Sequence, residues 1–261
     1  MYEHEYEAMF DLEDVYWWFI ARRQLAVEVV GHDLKARGVT DARILDVGCG
    51  TGSNMDAFAK LGRATGIDMS TGALGFCRQR GVDSVAMSAV EQLPFADATF
   101  DVVSAMDVLE HTDDDLAALA ELQRVCKPGG MLFVTVPAYG FLWSEHDEAL
   151  KHRRRYTAHE LRNKLSVRGF RIERSTYFIT TLFVPILAMR IHQGLFKRSV
   201  EPQTSIRLLP PWLNTSLIHL LGVERRIMRR VNLPFGVSIV AIARPDEARR
   251  LVGRRPAALK A

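Results

Sequence analysis

The sequence predicts an α/β fold in which helices cover a doubly wound, mostly parallel sheet of seven strands. Three observations predict it. Short apolar runs alternate with helical segments along residues 43–178, as successive βαβ units require. The run TFDVVSAMDVLEH at 99–111 is almost continuously apolar up to its end, which is typical of a strand buried on both faces. A glycine-rich turn, GCGTG at 48–52, separates the first strand from a helix.

The predicted elements divide the chain into five parts. Residues 1–42 form an N-terminal helical cap, 43–178 the core, 179–234 an apolar and basic helical insertion, 235–245 the last strand and 246–261 a basic tail. In the core, 42–54 is a strand that runs into the glycine turn and a helix, further strands follow at 64–70, 83–89, 99–111, 131–137 and 170–178, and further helices at 71–80, 114–125 and 157–168. We expect Asp113 to cap the second of these helices, and KPGG at 127–130 to end it.

Composition excludes several classes of protein. The 261 residues are 48% hydrophobic and 25% charged, which does not fit a collagen-like, low-complexity or globally disordered chain. The three cysteines contain no CxxC pair, which argues against a disulfide framework or a zinc site. The acidic N-terminus lacks the basic start and apolar core of a signal peptide, so we expect a cytoplasmic protein.

Charge is distributed unevenly. Residues 1–150 contain 11 Lys and Arg against 25 Asp and Glu, a net charge of −14. Residues 151–261 contain 23 against 6, a net charge of +17. The basic half predicts an anionic partner such as a phosphate-bearing substrate, a membrane surface or nucleic acid, and attraction between the two halves is an alternative that stays open.

The glycine turn predicts a ligand. Asp68 ends the second strand, 20 residues after Gly48, where doubly wound folds bind a ribose diol. The spacing G-x-G-x-G differs from the dinucleotide pattern G-x-G-x-x-G, and no pyrophosphate-binding lysine follows. We therefore expect a nucleoside-like ligand rather than a dinucleotide.

Five motifs stand in register: ILDVGCGTG, GIDMS, LPFADATFDVV, VLEH and LQRVCKPGG. With them the chain resembles the class I S-adenosylmethionine-dependent methyltransferases, of the small-molecule and lipid type with a domain 11-like core. The resemblance covers roughly residues 40–175 and the last strand. It implies a Rossmann-like sheet whose last strand is antiparallel, and S-adenosyl-L-methionine as the cofactor.

The resemblance also implies cofactor-binding residues. Asp46 and the three turn glycines hold the methionine part, Asp68 the ribose hydroxyls, and Met69 lies against the adenine. Many relatives have an acid where this chain has Ala89, so the contact with the adenine amino group shifts to backbone or to Ser88. An N-terminal arginine, Arg22 or Arg23, meets the cofactor carboxylate, and we assign Arg23. The expected cofactor site is Arg23, Asp46, Gly48, Gly50, Gly52, Asp68, Met69, Ser88, Ala89, Val90, Met106 and Asp107.

Catalysis is expected to rest on alignment of the acceptor with the cofactor methyl group, which alone can lower a barrier by roughly 7–11 kcal/mol. For a hydroxyl acceptor, His111 after the fourth strand is the candidate base, and a purely structural histidine is the alternative. Asp107 and Glu110 could orient it, bind the cofactor amine or cap a helix. His146, His152 and His159 suit the role less, because nothing in the sequence fixes their positions. No metal is expected.

The run HRRRYT at 152–157 follows the fifth strand at the edge where acceptors bind. Arginine offers a planar fork for carboxylate or phosphate. The expected acceptor-binding residues are Trp18, Tyr139, Arg153, Arg154, Arg155 and Tyr156. A solvated loop whose arginines pair with Glu145, Asp147 and Glu148 is the alternative.

The insertion has apolar segments at 177–189 and 208–223, both too short to span a bilayer and both interrupted by proline. Its arginines and Trp212 suit peripheral membrane contact through 179–230, at the inner face of the membrane. A lid over an apolar acceptor, and simple packing against the sheet, are alternatives.

We therefore expect O-methylation of a hydrophobic or anionic small molecule, or of a lipid-linked acceptor, by in-line displacement. No nucleic-acid partner is expected, since basic residues alternate with long apolar runs. An RNA or protein methyltransferase and a non-catalytic cofactor-binding module are the alternatives. The acceptor and the oligomeric state are not predicted.

Overall fold

The computed structural model describes residues 3–196 and 208–246. Within them one sheet has the strand order β3-β2-β1-β4-β5-β7-β6. Strands β1 to β5 are parallel, and β7 runs antiparallel to both β5 and β6. This arrangement confirms the predicted fold class. The strands are β1 Ala42–Val47, β2 Gly62–Asp68, β3 Val85–Met87, β4 Phe100–Met106, β5 Cys126–Pro137, β6 Phe170–Phe178 and β7 Ser238–Pro245.

Helices cover both faces of the sheet. They are α1 Glu3–Leu12, α2 Trp17–Arg37, α3 Ser53–Ala59, α4 Thr71–Gln79, α5 Asp115–Val125, α6 Glu145–Ala149, α7 Ala158–Val167, α8 Phe183–Phe196 and α9 Pro211–Met228. Short 3-10 turns follow β4 at Leu109–His111 and β5 at Gly140–Leu142. The carboxyl ends of β1, β2, β4 and β5 therefore meet at one edge, where ligands bind in this architecture.

The core has one layer on each side of the sheet. Neighbouring residues of β1 point to opposite layers: Leu45 packs with α5 and α7, and Ile44 packs with α2 and α9. Both residues are fully buried. Burial on two faces explains why the central strands read as apolar runs rather than as alternating patterns.

The end of α5 at Val125 confirms the predicted end of this helix, but the capping residues predicted at its two ends are wrong. Asp114, not Asp113, caps α5, because its side chain accepts a hydrogen bond from the backbone N–H of Ala117 at 2.9 Å. Asp113 instead pairs with Arg153. Helix α5 ends at Val125, and the KPGG segment lies inside β5, which begins directly after the helix.

The insertion packs onto the N-terminal helices. The buried carboxylate of Glu224 in α9 accepts backbone hydrogen bonds from Thr180 at 3.0 Å and Thr181 at 2.9 Å, just before α8. Arg225 binds Glu28 of α2 at 2.7 Å. Pro185 lies in the first turn of α8, where proline does not break a helix. Among the described residues no helix has the length and apolarity to cross a bilayer. Residues 197–207 of the insertion, and the predicted basic tail beyond Asp246, lie outside the described residues.

Candidate functional site

The glycine turn after β1 is held by Asp68. Gly48, Gly50 and Gly52 have φ values of 67°, 56° and 91°, a region that glycine enters without strain. The backbone N–H of Gly50 donates to Asp68 Oδ2 at 3.0 Å, and that of Ser70 donates to Asp68 Oδ1 at 2.9 Å. The turn is also crowded, since a Cβ at Gly48 would lie 2.5 Å from Val108 Cγ2. The backbone there can approach a ligand closely.

Asp46 presents an unused carboxylate oxygen at the end of β1. The side chain is 1% exposed, and its Oδ2 has no hydrogen-bond partner in the described part of the chain. Burial raises its pKa to about 7, although the neighbouring Ser104, Arg22 and Asn54 partly offset the effect. A buried acceptor without a partner is costly. It therefore fits a ligand that brings a positive group or a donor.

Of the residues expected to contact the adenine, only some have groups that are free to do so. Met69 is 68% exposed beside Asp68, where it could lie against a flat ring. Ser88 Oγ already contacts the carbonyl oxygens of Ala89 at 3.0 Å and Gln92 at 2.9 Å, so it can only accept from a ligand. Val90 packs in the core, so only its backbone can line the pocket.

Helix α1 covers the glycine turn. A Cβ at Gly50 would lie 2.7 Å from Met9 Cε, and Glu13 accepts a hydrogen bond from Thr51. Arg80, directly after α4, pairs with Glu13 at 2.7 Å. Burial and the nearby Asp68 raise the pKa of Tyr6 to about 12. The N-terminal cap thus closes over the turn, a contact that no local sequence signal indicates.

Arg22, rather than the assigned Arg23, lies beside Asp46 and Asp107. Arg22 forms an ion pair with Asp107, and its guanidinium lies 4.3 Å from the ring centroid of Trp18. Arg23 instead pairs with Asp14 at 3.1 Å. The two residues project from α2 in different directions, because consecutive helical positions differ by about 100°. Asp107, with φ 56°, also accepts a hydrogen bond from Thr135 at 3.3 Å, next to the buried Met106.

Residues 45–134 match the family described as methyltransferase domain. The chain is 36% identical over 118 residues to the ubiquinone biosynthesis O-methyltransferase of Colwellia psychrerythraea, over 42% of this chain and 48% of that protein. It is 37% identical over 102 residues to the malonyl-[acyl-carrier protein] O-methyltransferase of Serratia marcescens, over 38% and 40% of the two chains.

Residues 45–134 form a methyltransferase domain. A structure of a putative sarcosine dimethylglycine methyltransferase from Galdieria sulphuraria has the same fold, with a TM-score of 0.55, 19% identity and coverage of 85% and 86% of the two chains. The chain spans about half the length of the curated relatives it matches.

The cofactor that the methyltransferase domain implies is S-adenosylmethionine, which supplies an activated methyl group. The residues present fit it. The unused oxygen of Asp46 suits the amino group of the methionine part, and the glycines, which have no side chain, let the backbone approach it closely. Asp68, at the end of β2, suits the ribose hydroxyls.

His111 is a poor proton acceptor in the methyltransferase domain. Burial, together with the neighbouring His152, lowers the pKa of its imidazole to about 3. The two rings are 4.8 Å apart. A general base works best with a pKa near the operating pH. Burial therefore disfavours the base role that we expected for His111.

The three arginines after α6 differ in burial and in the groups that they bind. Arg155 is buried and binds Asp147 through Nε at 2.7 Å and Nη2 at 3.0 Å. Arg154 binds Asp115 and two backbone carbonyl groups. Arg153 is half exposed and contacts Asp113, so it is the most accessible of the three to an acceptor. Arg154 and Arg155 are therefore structural rather than acceptor-binding as expected, and the alternative of a fully solvated loop is also wrong for Arg155, whose pair with Asp147 is buried.

Tyr156 is also structural, which corrects its assignment to the acceptor site. Its side chain is fully buried, and its hydroxyl donates to Asp115 Oδ2 at 2.8 Å or to the Leu109 carbonyl oxygen at 3.1 Å. Lys164 of α7 binds the same carboxylate at 2.6 Å. These bonds fasten the loop after α6 to the turn after β4.

Tyr139 belongs to an aromatic cluster at the carboxyl edge of the sheet. Its ring stacks on Phe141 at 5.0 Å and on Tyr177 at 5.3 Å between ring centroids. Phe183 of α8 completes the contact, 5.9 Å from Tyr139, and touches Phe235. Phe141 is 63% exposed and Phe235 41% exposed, so the cluster presents an apolar surface to solvent. The sequence analysis indicated only Tyr139: it missed the neighbouring Phe141, and Tyr177, Phe183 and Phe235 come from distant segments.

Proposed function

We propose that this protein transfers the methyl group of S-adenosylmethionine to an oxygen atom of a hydrophobic small molecule or lipid-linked acceptor. The observation that carries the proposal is the position of the aromatic cluster Tyr139, Phe141, Tyr177, Phe183 and Phe235. It lies at the carboxyl edge that also holds the cofactor residues, and two of its rings are exposed. Relatives named as O-methyltransferases of ubiquinone biosynthesis support the choice of an oxygen and of an apolar acceptor.

Cofactor binding would use groups of opposite charge. Asp46 would bind the amino group of the cofactor, and Arg22 its carboxylate, while Asp107 keeps Arg22 oriented. Asp68 would accept hydrogen bonds from the ribose. Together these contacts would fix the methyl group relative to the acceptor, and alignment is worth roughly 7–11 kcal/mol of barrier.

The aromatic cluster would bind the acceptor by stacking and by burial of apolar area. Burial of apolar surface contributes about 25 cal/mol per Å². Arg153, half exposed on the neighbouring loop, would meet an anionic group of the acceptor. Hydrophobic and anionic parts of one acceptor would thus be bound by neighbouring surfaces.

Helix α9 supports a peripheral contact with membrane. Its buried face carries Leu221, Glu224 and Met228. A second apolar stripe, formed by Trp212, Leu220, Val223 and Ile227, is 38–70% exposed. The exposed Arg226 and Arg230 follow at the end of the helix. Apolar residues flanked by arginines suit a helix in the membrane interface, from which a lipid-linked acceptor would be taken. A cytoplasmic protein at the inner face of the membrane stays a prediction.

Labelled methyl groups test the proposal. The protein is incubated with methyl-labelled S-adenosylmethionine and a membrane lipid extract, total RNA or a protein extract, and the label is followed into each fraction. We expect label in the organic phase, and none with the Asp46→Asn variant. Asp41→Asn, a change at an exposed carboxylate on the opposite end of β1, is the matched control. Label in RNA or protein alone would favour those substrates, and cofactor binding without transfer would favour a binding module.

Vesicles test the membrane contact. We expect the protein to co-sediment with anionic phosphatidylglycerol vesicles at low salt and to be released as salt screens the arginines, with a screening length of about 10 Å at 0.1 M. A variant with Trp212, Val223 and Ile227 replaced by serine should stay in the supernatant. Equal sedimentation of both proteins would contradict the role of this stripe.

A further inference from the structure

Three potential metal ligands meet beside the cofactor pocket. One carboxylate oxygen of Glu110 and one ring nitrogen each of His111 and His152 lie within 4.8 Å of one another. Glu110 and His111 belong to the 3-10 turn after β4, and His152 to the loop after α6. Two imidazoles and one carboxylate are a donor set typical of divalent transition ions.

Glu110 lacks a partner of its own. Its side chain is fully buried, and neither carboxylate oxygen accepts a hydrogen bond within residues 3–196 and 208–246. The nearby cations are engaged elsewhere, since Arg22 pairs with Asp107 and Arg155 with Asp147. A buried carboxylate without a donor or counter-ion is costly, and a bound cation would remove that cost.

Both histidines are held by a hydrogen bond of their ring. Asp147 Oδ1 lies 2.9 Å from His152 Nδ1, which leaves Nε2 of that ring available to an ion. The ring of His111 is hydrogen-bonded to the backbone of Lys151. An imidazole with one nitrogen bonded to a carboxylate or carbonyl and the other nitrogen free is the usual arrangement of a metal ligand.

The loops that carry these residues are fastened together. The backbone N–H of Arg153 donates to the carbonyl oxygen of Glu110 at 2.8 Å. Arg155 grips Asp147 with two nitrogens, so the carboxylate that orients His152 is itself fixed. The ligand atoms are thus brought together by the fold before any ion binds, and the arginine run has a structural purpose at this site.

We propose that Glu110, His111 and His152 bind one divalent cation of the Zn²⁺ class, and that this cation takes an oxygen of the acceptor as a further ligand. The first part stands on the side-chain geometry alone, and the second part rests on the proposed methyl transfer. Three protein ligands leave a coordination position open, as in catalytic zinc sites. Asp107 and Arg22 connect the cluster to the cofactor residues.

The proposed methyl transfer needs no protein side chain as a base. A hydroxyl bound to a divalent cation loses its proton to water more readily than a free one. The acceptor oxygen forms the bond to the methyl carbon as the carbon–sulfur bond breaks, and sulfur keeps the electron pair. The products are the O-methylated acceptor, S-adenosylhomocysteine and one proton.

Calorimetric titration with ZnCl₂ tests the cation site. The tag-free protein is stripped with a chelator and titrated without cofactor or acceptor, and bound metal is counted by mass spectrometry. We expect one Zn²⁺ per chain, and at least about 100-fold weaker binding in Glu110→Gln and His152→Gln, because changes around a metal ligand alone cost 10–100-fold. His159→Gln, an exposed histidine outside the cluster, should bind Zn²⁺ normally. The Co²⁺-loaded protein should lack a thiolate charge-transfer band, which excludes the cysteines.

Each outcome decides one part of the proposal. Retained binding of S-adenosylmethionine establishes that a variant is folded. Absence of Zn²⁺ binding by the parent protein, or equal binding by the folded variants, overturns the cation site. Methyl transfer that is lost with the chelator and restored by Zn²⁺ supports the acceptor part, and transfer indifferent to the chelator overturns it. Zn²⁺ binding without transfer to any organic acceptor would refute the proposed function and leave the cation site intact.

Discussion

Asp68 accepts a hydrogen bond from the backbone N–H of Gly50 at 3.0 Å, so the carboxylate suited to the ribose also fixes the glycine turn. A second bond, from the N–H of Ser70 to the other oxygen, holds the side chain in place. One residue thus couples the end of β2 to the turn after β1, and a change at Asp68 affects both halves of the cofactor site.

Replacing Asp68 with alanine should weaken S-adenosylmethionine binding by about 1–3 kcal/mol, because hydrogen bonds to the ribose and to the turn are lost together. Isothermal titration calorimetry measures the change. Asp83→Ala, at an exposed position just before β3, is the control and should bind as the parent does. Unchanged affinity in Asp68→Ala with the fold intact would place the cofactor elsewhere.

The contact between Met9 and the glycine turn predicts that α1 slows cofactor release. Truncating Met9 to alanine removes the side chain that lies over Gly50, and should raise the dissociation rate of S-adenosylmethionine by several-fold. Stopped-flow displacement measures it. Met87→Ala, an exposed methionine of β3, provides the matched control. Identical dissociation rates would mean that α1 does not gate the pocket.

Replacement of Arg22 should weaken cofactor binding more than replacement of Arg23, although the two residues are adjacent. Arg22→Gln removes the cation beside Asp46 and Asp107, and should weaken cofactor binding by about 1.5–3 kcal/mol, the range for hydrogen bonds to charged groups. Arg23→Gln breaks only a partly exposed pair with Asp14 and should leave affinity within about twofold, since such pairs contribute little. A larger loss in Arg23→Gln would restore the original assignment.

Replacement of Arg155 and of Arg153 should reduce stability by different amounts, because the two side chains differ in burial. Arg155→Ala leaves the buried Asp147 without its counter-ion and should lower the free energy of unfolding by about 3–5 kcal/mol. Arg153→Ala removes a half-exposed pair and should cost less than about 1 kcal/mol, while raising the acceptor KM. Urea denaturation and steady-state kinetics measure the two effects. Similar stability losses at both positions would contradict the buried-pair interpretation.

The ionisation of Asp115 should make the stability of the folded protein depend on pH in the acidic range. Burial opposes its ionisation, but hydrogen bonds from Lys164 and Tyr156 outweigh burial and lower the pKa of this carboxyl. Its stabilising contribution is therefore complete above the unfolded-state pKa of about 3.9, and is lost as the pH falls through the lower folded-state pKa. Asp115→Asn should be less stable at pH 7, and the difference from the parent should shrink below about pH 4. A difference that is constant with pH would argue against the ionised role.

Local sequence features determined the framework of the protein. The alternation of apolar runs with helical segments specifies βαβ units, and the glycines between β1 and α3 specify a turn with positive φ values. These features depend on neighbours within one element, through hydrogen bonding and side-chain period, so they can be read without knowledge of the fold. The same holds for Asp68, whose place at a strand end follows from its position in the chain.

Tertiary packing decided which side chains meet. The rotation of α2 about its axis decides that Arg22, and not Arg23, lies beside Asp107. The position at which α1 packs decides that Met9 covers the glycine turn. His152 approaches Glu110 because the loop after α6 is fastened to the turn after β4 by bonds from Arg153 and Tyr156. Such contacts join segments far apart in the chain, and their geometry is set by packing against the sheet rather than by local preference.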